Sequence, residues 1–384
     1  MRSRSRGDEI RVGVPTLSRT TDGRSRVDVD VDGIEVYLAA DAPLATNGDA
    51  WASMMLLPAA KSRGTLRVDA DLDARLAANF GRIQATAREF WGFAGAAVVP
   101  RGAVERAPAG GSAMFFTCGV DSFHTLRRHR GSIERLIFVR GLNINLTDLA
   151  DDARFAPVRA GIEAVARELG IEVVFAESNL RSHPTFGRVG WDVSHLGALA
   201  GVAHALAPVV SRVYVASSDI PAPYGSRPDL DPLWSSGAVE IVNDGSETFK
   251  PEKVRAIADW PLVHRHLRVC HSTRGNELNC GACFKCVRTQ LLFAIAGARE
   301  RLETFPQTPL TELIDGIPWV EEEYHPLWTM LYGQIRDPAI IAAIERLVAR
   351  RPSAVERLQA SAPWLRKTAP GRAIRKLAKR LLVR

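Results

Sequence analysis

The sequence predicts an α/β fold built on a doubly wound parallel sheet, with a small N-terminal α+β domain and a helical C-terminal extension. Three observations lead there. Between residues 112 and 300, short apolar runs rich in Val, Ile and Phe recur without the polar alternation of a half-solvated strand. Helical stretches separate these runs, as parallel crossovers require. The Pro- and Gly-rich string RAPAGGS, 106–112, punctuates the chain just before this pattern begins.

Taken in order, residues 1–108 carry alternating strand-like runs, RVDVDVDGIEVYLAA and GTLRVDADL, with Asp32-Gly33 as a turn signal and a helical stretch over 73–91. No catalytic constellation is found there, so a lid or accessory domain is expected. Residues 109–300 form the expected central domain. Its strands are 113–117, 135–140, 171–177, 212–218 and 239–243, with helices near 121–130, 151–169 and 194–207. Residues 301–384 are the expected helical extension, its clearest helix being DPAIIAAIERLVARR at 337–351.

Composition limits the classes of function. A chain of 384 residues, 46% hydrophobic and 24% charged, reads as two or three globular domains. No stretch approaches the roughly 18 to 20 consecutive apolar residues of a membrane span. The start, MRSRSRGDEIRVGV, has arginines but no apolar core behind them, so no secretory signal is expected and the cytoplasm is the expected compartment. Of the net charge of +7, the stretch 366–384 supplies +8, which leaves the remaining residues at −1. Ile374, Leu377, Ala378, Leu381 and Leu382 recur there at helical spacing, a basic amphipathic pattern suited to an anionic membrane or RNA. No aromatics interleave its cations, and a solvated or docked end is the simpler expectation. The expected partners are a small-molecule substrate and, for a homodimer, a second copy of the chain.

The chemistry begins at FFTCGVDSF, 115–123. An apolar strand ends on a turn of small residues and a helix opens behind it. Such a turn, with the unpaired N–H groups of a helix's first turn, makes a concave anion site, and phosphate is its natural guest. An ordinary helix start capped by Asp121 is the competing reading. No Gly-Lys-Ser/Thr follows, so this is not a Walker A loop. Thr117-Cys118-Gly119-Val120-Asp121-Ser122 resembles the SGGxDS loop of the PP-loop ATP pyrophosphatase superfamily. Those enzymes cleave ATP between its α and β phosphates. The resemblance implies an adenine nucleotide alpha hydrolase-like fold, ATP and Mg2+ bound by residues 117–122, and Asp121 and Ser122 in catalytic roles. Two positions differ from that pattern. Thr for Ser keeps a hydroxyl, whereas Cys118 replaces a Gly, adding a Cβ where the backbone can need an unusual dihedral, at a cost of order 1 kcal/mol. A thiol at a helix N-terminus is also expected to lean toward thiolate.

Four of the five cysteines, Cys270, Cys280, Cys283 and Cys286, fall within 17 residues. Two residues between cysteines let thiolates converge on one tetrahedral ion, and four thiolates with no open position suit a structural Zn2+. Cysteine count alone also admits an iron–sulfur cluster. With the loop, NCGACFKCVR resembles the zinc cluster of the 7-cyano-7-deazaguanine synthase family of queuosine biosynthesis, over residues 112–298. That family implies an ATP-dependent ligase that adenylates a carboxylate and lets ammonia attack it. SSDIPAPYGSRPDLDPLW, 217–234, lies where that family keeps its substrate loop. There Arg227 is suited to a bidentate clamp on a carboxylate or phosphate, Asp219, Asp229 and Asp231 to orienting amines or metal, and Tyr224 to stacking on a ring. Ser194 and His195 open a helix at the same sheet edge, His195 either as a base or phosphate contact or as a packing residue. Lys250, Lys253 and Arg255 are candidate phosphate partners. Two other readings stand beside the ligase: sulfur transfer through Cys118, and a non-catalytic nucleotide-binding or RNA-modification scaffold.

Overall fold

The structure, a computed structural model, describes residues 9–62, 64–142, 144, 146, 149–218, 224–270 and 278–352. The chain divides into two compact units, Met1–Asn279 with Arg301–Thr304, and Cys280–Glu300 with Phe305–Arg384.

The first unit is α/β, around one eleven-stranded sheet. Its strands are β1 (Glu9–Val12), β2 (Thr16–Arg19), β3 (Ser25–Val31), β4 (Ile34–Ala40), β5 (Thr65–Val68), β7 (Ala97–Pro100), β9 (Gly111–Phe115), β10 (Arg135–Arg140), β11 (Glu172–Ser178), β12 (Val210–Ala216) and β13 (Glu240–Asp244). The short β6 (Leu72–Asp73) and β8 (Ala103–Val104) pair separately. All five strands expected between 109 and 300 are present, shifted by at most two residues at their ends. They are mutually parallel, in the order β13-β12-β9-β10-β11. From β9 the chain winds outward through β10 and β11, then returns to the other side of β9 for β12 and β13. The direction of winding therefore reverses between β9 and β12, and this is where an open α/β sheet leaves a crevice at its carboxyl edge.

The expected boundary at residue 108 is not a boundary of the fold. β4 runs antiparallel beside β11, with Leu38 opposite Ser178 and Ala40 opposite Ala176, and so carries the N-terminal strands into the same sheet. Backbone ladder bonds and a shared apolar cluster cross residue 108, so residues 9–108 extend the central domain and are not a separate lid. Within them, Asp32 and Gly33 both have positive φ, 54° and 81°, and close the β3–β4 hairpin as a tight turn between Val31 and Ile34.

Helices α1 (Gly48–Lys61) and α2 (Ala74–Trp91) lie in this segment. α2 is amphipathic. It buries Leu76, Phe80, Ile83 and Ala87, starts where Asp73 accepts from the N–H groups of Arg75 and Leu76, and ends at Gly92 in the left-handed region. α1 is different, buried along residues 48–60 with Pro58 inside it. It packs against α5 (Trp191–Ala205) through two glycines of that helix. A Cβ on Gly201 would stand 2.4 Å from the Ala50 carbonyl oxygen, and one on Gly197 2.7 Å from that of Ser53. The remaining helices of the unit are α3 (Val120–Arg128), α4 (Leu149–Leu169), α6 (Lys250–Ile257) and α7 (Pro261–His266).

The second unit is helical, with α8 (Phe284–Ile295), α9 (Leu310–Asp315), α10 (Pro326–Thr329) and α11 (Pro338–Ala349). Phe284 packs on Tyr324 and the fully buried Trp328, and α11 is tied to α9 by a bidentate Arg346–Asp315 pair. Residues 280–300 belong with this unit, so the expected change at 301 comes earlier in the chain. No helix among the described residues is long and apolar enough to cross a membrane. The basic stretch 366–384 lies outside the described residues.

Candidate functional site

β9 stops at Phe115, and the chain turns through Thr117, Cys118 and Gly119 into α3. This places the turn at the point where the winding of the sheet reverses. Cys118 has φ +59°, in the region that favours glycine. The neighbouring chain holds it there, since the carbonyl of Cys118 accepts from the N–H of Arg268 at 2.8 Å. Among the described residues, the N–H groups of Cys118, Val120 and Asp121 donate to no protein acceptor. Such donors at a helix start are the feature an oxyanion can use. Ser122 is committed otherwise. Buried beneath the turn, its hydroxyl accepts from the N–H of Gly119 at 3.0 Å and donates to that residue's carbonyl at 3.1 Å. Val120 is buried too, while Thr117 is half-buried, with its hydroxyl beside Gly119.

Asp121 is the centre of charge. Lys250 bonds its Oδ2, and Lys253 Nζ lies 3.2 Å from its Oδ1 and donates to the Ser217 carbonyl at 2.7 Å. The Lys253 side chain is only 1% exposed. An ammonium taken that far from water requires such partners. The triad joins the carboxyl ends of β9, β12 and β13, because Ser217 follows β12 and both lysines lie on α6, which follows β13. Burial alone would raise the Asp121 carboxyl, but the two ammonium groups outweigh it and hold it below its ordinary range. Both lysines thus stand beside a residue of the first turn of α3, next to these N–H groups. Of the three cations named in the sequence, Lys250 and Lys253 reach this point and Arg255 is exposed elsewhere on α6.

The thiolate expected at Cys118 is not supported. The side chain is 2% exposed, and burial pushes its thiol up to about 12 against the opposing field of Arg268. Desolvation defeats the helix-terminus effect because the sulfur points into the protein, where a thiolate would lose its hydration without gaining an ion pair. The sulfur is neutral and carries no charge against a phosphate. It also offers no accessible nucleophile, which removes the geometric support for sulfur transfer.

On the substrate-loop side the outcome is mixed. Arg227 is not free to clamp a ligand: Nε and Nη2 each lie 2.9 Å from the carboxylate of Asp229, and the guanidinium rests 3.9 Å above the ring of Phe90. Asp231 is fully buried and structural. It accepts from Ser226 Oγ at 2.7 Å, the N–H of Arg227 at 2.6 Å and Asn243 Nδ2 at 2.7 Å, so it ties the loop to β13. Burial raises its carboxyl to about 6 despite these donors. Tyr224 lies within the electrostatic field of Asp121. Its phenol is raised to about 12 by burial first, then by the charges of Asp192 and Asp121, and its ring lies 4.6 Å from that of His195. His195 takes the packing alternative, since burial lowers it to about 4 and Nδ1 stands 3.2 Å from the Trp191 carbonyl. Ser194 bonds the carbonyl of Gly190. Asp219 lies outside the described residues.

Sequence reasoning missed His124, one helical turn into α3. Its Nδ1 is buried without a partner among the described residues, near Gly245 and Lys253. It missed Asp244 as well, which accepts from Thr125 Oγ1 at 2.7 Å and meets His129 Nε2 at 2.7 Å, bracing α3 against β13. Only the strand order brings these residues together, and no local pattern announces it.

The four remaining cysteines do converge. The sulfur atoms of Cys270, Cys280, Cys283 and Cys286 all lie within 4.8 Å of one another, with none in a disulfide. Tetrahedral thiolates about 2.3 Å from an ion stand about 3.8 Å apart. Cys280 and Cys286 are at 3.9 Å, and the N–H of Cys283 points at Cys280 Sγ at 3.4 Å. Polar side chains brace the flanking backbone. Asn279 Oδ1 accepts from the N–H groups of Val269 and Cys270, and Gln290 Nε2 donates to the carbonyls of Gly281 and Cys286. The set fits a structural metal ion such as zinc.

Compared with protein-family models, curated proteins and solved structures, the chain matches none.

Proposed function

We propose that the chain is an ATP-dependent ligase of the PP-loop pyrophosphatase type, which adenylates a carboxylate or amide of a small molecule and releases pyrophosphate and then AMP. One observation carries this reading: the turn 117–119 lies at the reversal of the sheet, with N–H groups that donate to no acceptor among the described residues and two lysines converging on Asp121. A triphosphate needs those elements at one place.

In this reading the N–H row and the Thr117 hydroxyl cradle the phosphates, while Lys250 and Lys253 turn from Asp121 toward the charge that grows on the leaving pyrophosphate. A substrate oxygen attacks the α phosphorus, the bond to the bridging oxygen of the β phosphate breaks, and an amine or ammonia then displaces AMP from the acyl carbon. Mg2+, when bound, neutralises phosphate charge, and Asp121 is the carboxylate placed to hold it. Zinc at the four cysteines is structural, since four thiolates leave no open position for chemistry. The resemblance to the 7-cyano-7-deazaguanine synthase family, and with it the adenine nucleotide alpha hydrolase-like fold, supports the same class.

The test is formation of pyrophosphate and AMP from ATP over a panel of carboxylates with ammonium present. The Lys250→Ala and Lys253→Met variants are expected to lose at least about a hundredfold in pyrophosphate release. Formation of ADP and phosphate, or activity indifferent to both lysines, would refute the proposal.

A further inference from the structure

At the same carboxyl edge of the sheet lies a second group of residues to which the proposed reaction assigns no role. Arg181 follows the carboxyl end of β11. Its Nη1 donates to the Leu142 carbonyl at 2.6 Å, and its guanidinium lies 4.5 Å above the ring of Trp191. Among the described residues no carboxylate is within ion-pair reach of it. Asp192 acts on it only through space. Burial pulls the guanidinium below its ordinary value, a sign that it has lost water without gaining an anion. The contrast with Arg227 is direct, because Arg227 already holds its own carboxylate.

A row of rings continues from Arg181 to Tyr224. Trp191 stands 5.9 Å from His195 and His195 4.6 Å from Tyr224, and Tyr224 lies within the field of Asp121. Trp191 and Tyr224 are each part-exposed, while His195 between them is buried. A cation-bearing end, an aromatic wall and the phosphate turn thus follow one another along the sheet edge.

We infer that Arg181, Trp191 and Tyr224 form the substrate subsite, and that the substrate is a flat aromatic ring carrying an anionic group at the end remote from the ATP phosphates. An anion supplies the charge that Arg181 lacks, in the forked geometry a guanidinium offers. The ring covers the aromatic wall, which directs the reacting group toward the α phosphorus. The anion is a carboxylate or a phosphate, two sources of one chemistry. The inference rests on residues 117–122 as the ATP site.

Calorimetry separates these possibilities with four probes: quinoline-3-carboxylate, its neutral amide, guanosine 5′-monophosphate and α,β-methylene-ATP. Native protein is expected to prefer at least one ring anion to the amide by about tenfold, the effect of one charge-assisted pair. Arg181→Gln erases that preference and leaves the amide and α,β-methylene-ATP unchanged, while Arg181→Lys restores part of it. Near-ultraviolet circular dichroism of both variants checks that the fold is intact. Preference for the carboxylate or for the monophosphate identifies the source. Lack of any Arg181-dependent preference overturns the inference, as does equal weakening of α,β-methylene-ATP, which would put Arg181 in the nucleotide site. If α,β-methylene-ATP fails to bind while the Arg181-dependent preference persists, the ATP reading fails and the anion subsite stands.

Discussion

Cys118 is a residue under two opposing demands. Its positive φ favours glycine by about 1 kcal/mol, while its buried side chain contributes a similar amount by leaving water. Cys118→Gly is therefore expected to change stability by no more than about 1 kcal/mol and to retain pyrophosphate release. Cys118→Val should lose about 3 kcal/mol, because a β-branched side chain suits neither that dihedral nor a filled site. Denaturant unfolding of both variants checks the pair of outcomes, and equal stabilities would refute the account. At Asp121 the sign with pH is fixed by a depressed carboxyl. Its contribution is complete above its ordinary value of 3.8 and is lost as pH falls through the lower folded-state value. Asp121→Asn should accordingly flatten the acid limb of the stability curve, and an unchanged limb would show that the lysines do not stabilise the carboxylate. The sequence made the three members of this triad visible as separate charged residues. It did not show that they meet, since 129 positions separate Asp121 from Lys250.

At the scale of elements, periodicity read the parallel strands well because strands covered on both faces leave a simple trace of continuous apolar residues. It did not reveal α1. A helix buried along nearly its whole length has no polar face to set a period, and Pro58 argues locally against a helix that the packing of α5 nevertheless supports. The loop 224–231 shows a related limit. Arg227-Pro228-Asp229 has the composition of a clamp, but Arg and Asp two positions apart satisfied each other before any ligand arrived. What holds that loop is Asp231, and its raised carboxyl gives a test. A carboxyl near 6 in the folded state and near 3.8 when unfolded contributes stability that is complete below 3.8 and is lost as pH rises through about 6. Relative to Asp231→Asn, the native protein is expected to gain about 1 kcal/mol between pH 7 and pH 5, read from urea unfolding at the two values. A constant difference would mean that Asp231 stays ionised throughout.

For the molecule as a whole, the dominant non-core contribution should be the metal. Cys270, Cys280, Cys283 and Cys286 bring four thiols within 4.8 Å, and without an ion that crowding gains only weak sulfur contacts. With Zn2+ the same groups are deprotonated, and the binding free energy becomes folding free energy, since the unfolded chain offers no preformed site. Purified protein is expected to carry one ion per chain by elemental analysis, and a strong chelator should lower the thermal midpoint by roughly 10 °C. Cys283→Ser should reproduce the shift without chelator, and added zinc should not rescue it. Because all four ligands are sulfur, the ion should resist exchange with magnesium and respond to thiol-modifying reagents. The midpoint should also fall as pH drops below the range in which bound thiolates outcompete protons, a trend absent from Cys283→Ser. If the chelated protein melted where the loaded protein does, the four sulfurs would be ordinary core residues and the fold would stand on its apolar cluster alone.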